Sequence, residues 1–184
     1  QVKKEIDNVE RELGWMYETA HAAGTAMGRI NYTVWSDVFS CPECSGDVVF
    51  WDAAVNQARK KILEEFECPH CSAAINKRTL DRAWISVRDG ALNDVVKQAK
   101  QIPVLINYSF GKARFEKRPD ALDLNVIEQI SKLDAADWIP TSRMMDGAES
   151  RRNDPIGMTH VHHFYTKRTL AVLARLFDRA RKSE

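Results

Sequence analysis

Two near-copies of one short string limit what this chain can fold into: Phe39-Ser40-Cys41-Pro42-Glu43-Cys44-Ser45 and Phe66-Glu67-Cys68-Pro69-His70-Cys71-Ser72. Between them they hold all four cysteines of the sequence. Two thiolates spaced by two residues on a tight turn grip one edge of a tetrahedron, and a second such pair closes a four-sulfur cage. That donor set belongs to structural zinc, because four protein ligands leave no open coordination position for chemistry. Cys41, Cys44, Cys68 and Cys71 are therefore the expected metal ligands, and zinc the expected ion. Two disulfides, or four reduced thiols in a core, are the competing readings of the same residues, and the pairing favours the metal. Each copy also has an aromatic residue two places before its first Cys, a Pro between the pair and a Ser directly after it. Pro presets a turn dihedral, the small Ser lets backbone amides approach the sulfurs, and the aromatic ring shields one side of the ion. The flanks Tyr32-Thr33-Val34-Trp35 and Val48-Val49-Phe50-Trp51 are rich in β-branched and aromatic residues, as strands entering and leaving a knuckle should be. Residues 30–76 read as a zinc ribbon.

The rest of the chain predicts an α+β fold around that ribbon, with a β-hairpin and flanking amphipathic helices. Val2, Ile6, Val9, Leu13 and Met16 recur at helical spacing among charged residues, so residues 1–29 read as an N-terminal helix reaching about Ala22, after which Gly24 and Gly28 break the pattern. A short charged helix is expected over 58–65, and a brief helical stretch over 77–84. Asp89-Gly90 marks a turn. Residues 77–184 form the expected α+β region. In it Val104, Ile106, Tyr108 and Phe110 alternate with Leu105, Asn107 and Ser109, Gly111-Lys112 supplies a turn, and residues 113–117 return as the partner strand. Asp123 is the expected cap of a helix that buries Val126, Ile127, Ile130 and Leu133, and Thr166 that of a helix from Lys167 to about Arg181. A long polar loop is expected over 141–157, and loops of that length in a compact domain tend to be functional or disordered.

Composition excludes some functions. The 184 residues carry a formal net charge of +1, so the chain is no polycation and any nucleic-acid surface must be local. No apolar run approaches the roughly 20 residues that cross a bilayer, and no signal peptide is legible, so a cytoplasmic location is expected. A reducing compartment also suits thiolate ligands. The first residue is Gln rather than Met, as expected of a piece of a longer chain.

Three groups of residues are candidates for function. Lys112, Arg114, Lys117 and Arg118 lie beside Phe110 and Phe115 on the hairpin, where basic residues with interleaved aromatics suit phosphate contact and base stacking. A merely solvated hairpin is the competing reading. Arg151, Arg152 and Asn153 fall in the polar loop and can reach phosphates or base edges, unless nearby acids take them up in ion pairs. In Thr159-His160-Val161-His162-His163-Phe164 a strand would put His160 and His162 on one face, where they could bind metal, although no carboxylate sits at a suitable spacing. Packed or hydrogen-bonding imidazoles are the alternative. The basic residues of the last helix, Arg175, Arg179, Arg181 and Lys182, suit the negative end of its dipole without any nucleic acid.

Several longer strings resemble the middle of bacterial adenine-specific DNA methylases of the restriction-modification type. They are Glu12-Leu13-Gly14-Trp15-Met16-Tyr17, Gly28-Arg29-Ile30-Asn31-Tyr32-Thr33-Val34-Trp35-Ser36, Pro103-Val104-Leu105-Ile106-Asn107-Tyr108-Ser109, Glu149-Ser150-Arg151-Arg152-Asn153-Asp154, and the run from Ile156 through Arg168. The resemblance spans essentially the whole chain. It implies a parent that transfers a methyl group from S-adenosylmethionine to adenine N6. Neither the Gly-rich cofactor loop nor the Asp-Pro-Pro-Phe-type motif is present here, and Asp154-Pro155-Ile156 lacks the second Pro and the aromatic. The implied role is an internal, non-catalytic segment between those motifs. It would grip double-stranded DNA while the methyltransferase core of the same polypeptide flips the base. A purely structural or dimerising spacer, and a histidine-metal nuclease built on His160, His162 and His163, are the alternatives from other classes.

Overall fold

The N-terminal apolar stripe forms a helix, but a shorter one than its spacing predicts. In the computed structural model, which describes residues 2–21, 24, 26–59, 61–133 and 137–182, α1 spans Val2–Leu13 and gives way to a 3₁₀ turn, Gly14–Tyr17, and a strand β1, Glu18–Ala20. Burial overrides local periodicity here. Met16 and Thr19 are almost wholly enclosed, and the Thr19 hydroxyl donates to Asp123 Oδ1 at 2.6 Å, which an extended backbone allows. The expected helical end near Ala22 lies outside the described residues. The chain then enters β2, Met27–Ser40, so residues 1–29 are not a helix alone.

The 14-residue β2 is the spine of the molecule. At its start it pairs with β1, along its middle with β11 (Gln101–Phe110), and at its far end with β3 (Asp47–Val49) and β8 (Asp81–Arg82), all antiparallel. The first cysteine knuckle follows directly from it, so the expected ribbon at 30–76 shares a strand with the main sheet. After β3, α2 (Phe50–Ala54) replaces the expected strand end, because Phe50, Ala53 and Ala54 pack onto Phe39, Val48 and Phe66 around the knuckles.

Among the described residues, neither short helix expected in this region forms. Val55–Asn56 (β4) and Lys61–Ile62 (β5) pair as a two-strand ladder, with Asn56 Oδ1 accepting the Arg59 amide in the turn. The second knuckle sits between β6 (Phe66–Glu67) and β7 (Ala74–Ile75). Beyond it, Asn76 Oδ1 accepts the amides of Arg78 and Thr79, and that local turn wins over helical propensity before β8 begins.

Two hairpins follow. β9 (Trp84–Asp89) and β10 (Asp94–Ala99) are joined by a turn in which Asp89 Oδ1 accepts the amides of Ala91 and Leu92. β11 and β12 (Ala113–Lys117) form the predicted hairpin, with Gly111 at φ 60 as the first central residue of a two-residue turn. The main sheet thus has the order β1-β2-β11-β12. Ile30, Ile106 and Tyr108 form its small core with Tyr17 against them.

α3 (Ala121–Ser131) is capped by Asp120 rather than Asp123. Asp120 Oδ1 accepts the amides of Leu122 and Asp123, while the Asp123 carboxylate returns to the Asp120 amide, a reciprocal capping box. Asp120→Ala should cost about 1 kcal/mol in urea unfolding, since two helix amides lose their acceptor. In α3 Ile130 is buried, but Leu133, just beyond its end, is exposed. The expected polar loop contains a helix, α4 (Ala148–Asn153), and a 3₁₀ turn, Asp154–Ile156. α5 (Lys167–Arg181) starts at Thr166, whose hydroxyl accepts the Thr169 amide. α5 packs on α1 with ion pairs along the seam, Arg175 to Glu12 at 2.5 Å and Arg179 to Glu5 and Glu12, and Arg175 also reaches Asp137, outside both helices, at 2.7 Å. Those arginines therefore serve the helix contact. No helix among the described residues is long and apolar enough to cross a membrane.

Candidate metal centre and nucleic-acid interface

The two knuckles are built alike, bond for bond. In the first, the Cys41 amide donates to Gly46 O at 2.9 Å and the Ser45 amide to Cys41 O at 2.8 Å. In the second, the Cys68 amide donates to Ala73 O and the Ser72 amide to Cys68 O, both at 2.9 Å. Ser45 and Ser72 share a left-handed backbone, at φ 57 and 58. Each turn ends on that twist, which folds the following amides back toward sulfur. The Cys41 and Cys71 Sγ atoms lie 3.9 Å apart and those of Cys44 and Cys68 3.8 Å apart, and all four converge within 4.8 Å. A disulfide needs about 2.05 Å, so neither pair is bonded. The four sulfurs could hold a metal ion. Cys41 and Cys68 are buried, whereas Cys44 and Cys71 are exposed.

Backbone amides aim at the cage. Burial raises the Cys68 thiol, but the His70 and Cys71 amides outweigh it and bring it down to about 6. The Ala73 amide lowers Cys71, yet burial and the neighbouring sulfurs push it up to about 12, the mutual repulsion that a cation among four thiolates would relieve. Phe39 and Phe66, the aromatics before each pair, are buried beneath the cage with Phe50 between them, at ring separations of 5.7 and 6.0 Å. His70 is a member that sequence reasoning missed. Its Nε2 lies 2.8 Å from Asp47 O and ties the second knuckle to the strand that leaves the first.

The basic residues predicted to touch DNA divide into distinct groups. Lys112 and Arg114 stand exposed at the β11–β12 tip and make no ion pair with a described carboxylate. Lys117 sits on the opposite face of β12, its amine held by Asp120 at 2.6 Å, Asp123 at 2.9 Å and Ala20 O at 3.1 Å. Burial lowers Lys117, and the two carboxylates more than offset that and raise it. It is a structural cation of the fold. Arg118 reaches Asp52 at 2.5 Å with its side chain still 65% exposed. Arg151 and Arg152 are exposed on α4, away from the hairpin in sequence and on another element, while Asn153 is half-buried and its carbonyl accepts the Met158 amide. Arg143 takes up the nearby Asp154 at 2.7 Å.

The hairpin aromatics are less free than their spacing suggests. Phe110 stacks on the His21 ring at 4.2 Å, Phe115 meets it edge-on at 4.7 Å, and His21 Nδ1 lies 3.0 Å from the Tyr108 hydroxyl. On the face that carries Arg114 the partners are polar: Asn31 bonds Asn107 and Ser109, and Asn107 donates to Glu116 at 3.1 Å. Arginine and phenylalanine therefore point to opposite faces.

The histidine string forms a turn rather than a strand, so His160 and His162 do not share a strand face. Val161–Phe164 is a 3₁₀ turn, and it delivers His162 and His163 to one oxygen of Asp89, with Nε2 to Oδ2 distances of 2.8 and 2.9 Å. Burial raises the Asp89 carboxyl, but the two imidazoles overcome it and hold it at about 2. His160 packs against both rings without joining the Asp89 contact, its Nδ1 at 2.8 Å from the Thr159 hydroxyl, and burial followed by the neighbouring His163 and His162 lowers it. The Asp89 cluster lines a cavity of about 580 Å³ walled by Val87, Ile130, Leu170 and Ala174. No protein-family model, no curated protein and no solved structure matches this chain.

Proposed function

We propose that this chain is the DNA-gripping insert of an adenine-N6 DNA methyltransferase, stiffened by one structural zinc and supplying no catalytic group of its own. S-adenosylmethionine and the flipped adenine belong to the core of the parent polypeptide, and double-stranded DNA is the partner of this segment. The strings that resemble adenine-specific methylases support the family reading, and two of them are the strands β2 and β11 that pair at the centre of the sheet. The spacing of the sulfurs supports zinc as the ion. A Zn–S bond of about 2.3 Å gives a sulfur tetrahedron with edges of about 3.8 Å, and the sulfur separations are 3.8 and 3.9 Å.

The observation that carries the DNA reading is the hairpin tip, where Lys112 and Arg114 are exposed while most other arginines near carboxylates are engaged. Exposed cations that pair with no described carboxylate suit phosphates, which attract without regard to sequence. Filter binding to duplex DNA across a salt series tests this. Binding should weaken linearly in log–log form, and the double variant Lys112→Ala, Arg114→Ala should flatten the slope by about 2, one for each phosphate that is no longer neutralised. Lys117→Ala should leave that slope unchanged, since its amine is inside the fold. A slope that ignores the double variant removes the hairpin from the interface.

A second reading, a spacer that self-associates, draws on Leu173 and Phe177 of α5 and on Trp138, whose ring meets that of Phe177; they are 46%, 45% and 60% exposed. It requires sedimentation to show a dimer and filter binding to show no DNA affinity.

A further inference from the structure

We propose that Asp89 and His162 bind a divalent transition-metal cation in the wall of the cavity beside α5, with His163 orienting the carboxylate. The inference rests on ring-nitrogen chemistry and does not depend on the DNA reading.

His162 is 6% exposed, and both of its ring nitrogens face oxygen acceptors: Nδ1 lies 3.2 Å from Pro140 O, and Nε2 lies 2.8 Å from Asp89 Oδ2. A neutral imidazole has one N–H. If Nδ1–H donates to the carbonyl, the Nε2 lone pair confronts a carboxylate oxygen, which is tolerable only with a positive charge between them. A backbone carbonyl on Nδ1–H is the arrangement that fixes the tautomer of metal-bound histidines.

His163 has the opposite polarity. Its Nδ1 accepts from the amides of Thr159 at 3.2 Å and His160 at 3.4 Å, so Nε2 carries the proton and donates to Asp89 Oδ2 at 2.9 Å. It holds the ligand rather than the ion. The other Asp89 oxygen is fixed by the amides of Ala91 and Leu92, so the carboxylate cannot turn away.

Neither imidazole keeps a nitrogen free for a substrate, which argues against a general acid or base here. The cavity leaves the remaining coordination positions to water or to oxygen atoms of a bound small molecule. One imidazole, one carboxylate and water oxygens make a mixed nitrogen–oxygen set that suits Mn2+, Fe2+ or Zn2+, in contrast to the all-sulfur cage. The rival for the same contacts is a proton on Nε2, in a neutral or a doubly protonated ring, donating to Asp89.

Protein carrying zinc at its cysteines, titrated with Mn2+ and followed by the electron paramagnetic resonance signal of free Mn2+, distinguishes the two. One Mn2+ per chain is expected to bind. His162→Gln and Asp89→Asn should abolish that binding, the latter while keeping the oxygen that accepts the turn amides. His163→Gln should weaken it about tenfold, the loss typical of a group that orients a ligand. The zinc content of all three variants should remain that of the unaltered chain.

Unaltered protein gives a second measurement that needs no variant to fold. Added Mn2+ should broaden the ring signals of His162 and His163 in nitrogen-15 spectra before those of His21 and His70. Mn2+ that stays wholly free, binding that is equal in the His162→Gln protein, equal weakening in the His162 and His163 variants, or a His162 ring that remains a doubly protonated imidazolium on Mn2+ addition would each overturn the assignment.

Discussion

Removal of the cage metal, by chelation or by Cys68→Ser, is expected to unfold both knuckles and to cost more stability than any other single change in the chain. The reason is the size of what remains. Phe39, Val48, Ala54, Phe66, Ile75 and Leu80 are the buried residues there apart from the cysteines, and beyond Phe39 at the end of β2 they sit on or beside strands of two or three residues and the short α2, too little apolar area to order such ladders alone. Structural zinc in small peptides contributes apparent binding free energies of about 10–16 kcal/mol at neutral pH, and in such sites binding energy is folding energy. The sheet around β1, β11 and β12 has its own core at Ile30, Ile106 and Tyr108, and the ion pairs of α1 with α5 do not touch the cysteines. Hydrogen exchange should therefore show reduced amide protection over residues 39–82 in the metal-free protein, with protection retained over 104–109. Unchanged protection of the Cys41 and Cys68 amides after chelation would mean that the cage is a packed thiol cluster rather than a metal centre.

That prediction rests on a feature legible in the sequence because it is local. The CPxC spacing, the alternation of residues 104–110 with Gly111-Lys112, and the Thr166 cap each depend on neighbours within a few positions, and each forms a corresponding element. Local signals mislead where side-chain turns and long-range burial compete with propensity. Residues 58–65 and 77–84 contain enough charged residues and alanine to suggest helix, yet the Asn56 and Asn76 side chains hold turns and the flanking pairs join short ladders. Residues 14–20 continue a helical stripe, but Met16 and Thr19 are needed inside.

The second cluster is beyond the reach of spacing arguments altogether. Asp89 meets His162 and His163 across 73 and 74 positions, and the turn signal at Asp89-Gly90 gives no hint that one of its oxygens points out of the turn. Alternation on β12 does predict that Lys117 and Arg114 face apart, and that alternation alone separates Lys117 from the basic patch. Its use by Asp120 and Asp123 follows from the α3 cap, which lies at Asp120, one turn ahead of the Asp123 that the spacing suggests.

Gly157→Ala is the second change expected to be severe, and it joins the fold to the Asp89 cluster. Gly157 has a φ of 83, and a Cβ there would lie 2.2 Å from Lys97 O and 2.7 Å from Gln98 Cα. Both are backbone atoms of β10, paired to β9, so nothing flexible can yield. The left-handed dihedral alone costs about 1–2 kcal/mol for a residue with a Cβ, and forcing an atom into a closed contact adds about 1–3 kcal/mol. Gly111→Ala provides the internal control. Its φ is 60, but a Cβ would meet nothing within 4 Å, so only the dihedral cost applies. The difference between the two variants in urea unfolding therefore measures the contact between β10 and the segment that follows α4. That segment leads within a few residues to His160, His162 and His163, so its displacement should also separate the imidazoles from Asp89 and loosen exchange protection at Ala91 and Leu92. Equal costs for the two variants would show that the segment does not press on the hairpin, and the placement of His162 against Asp89 would lose its mechanical support.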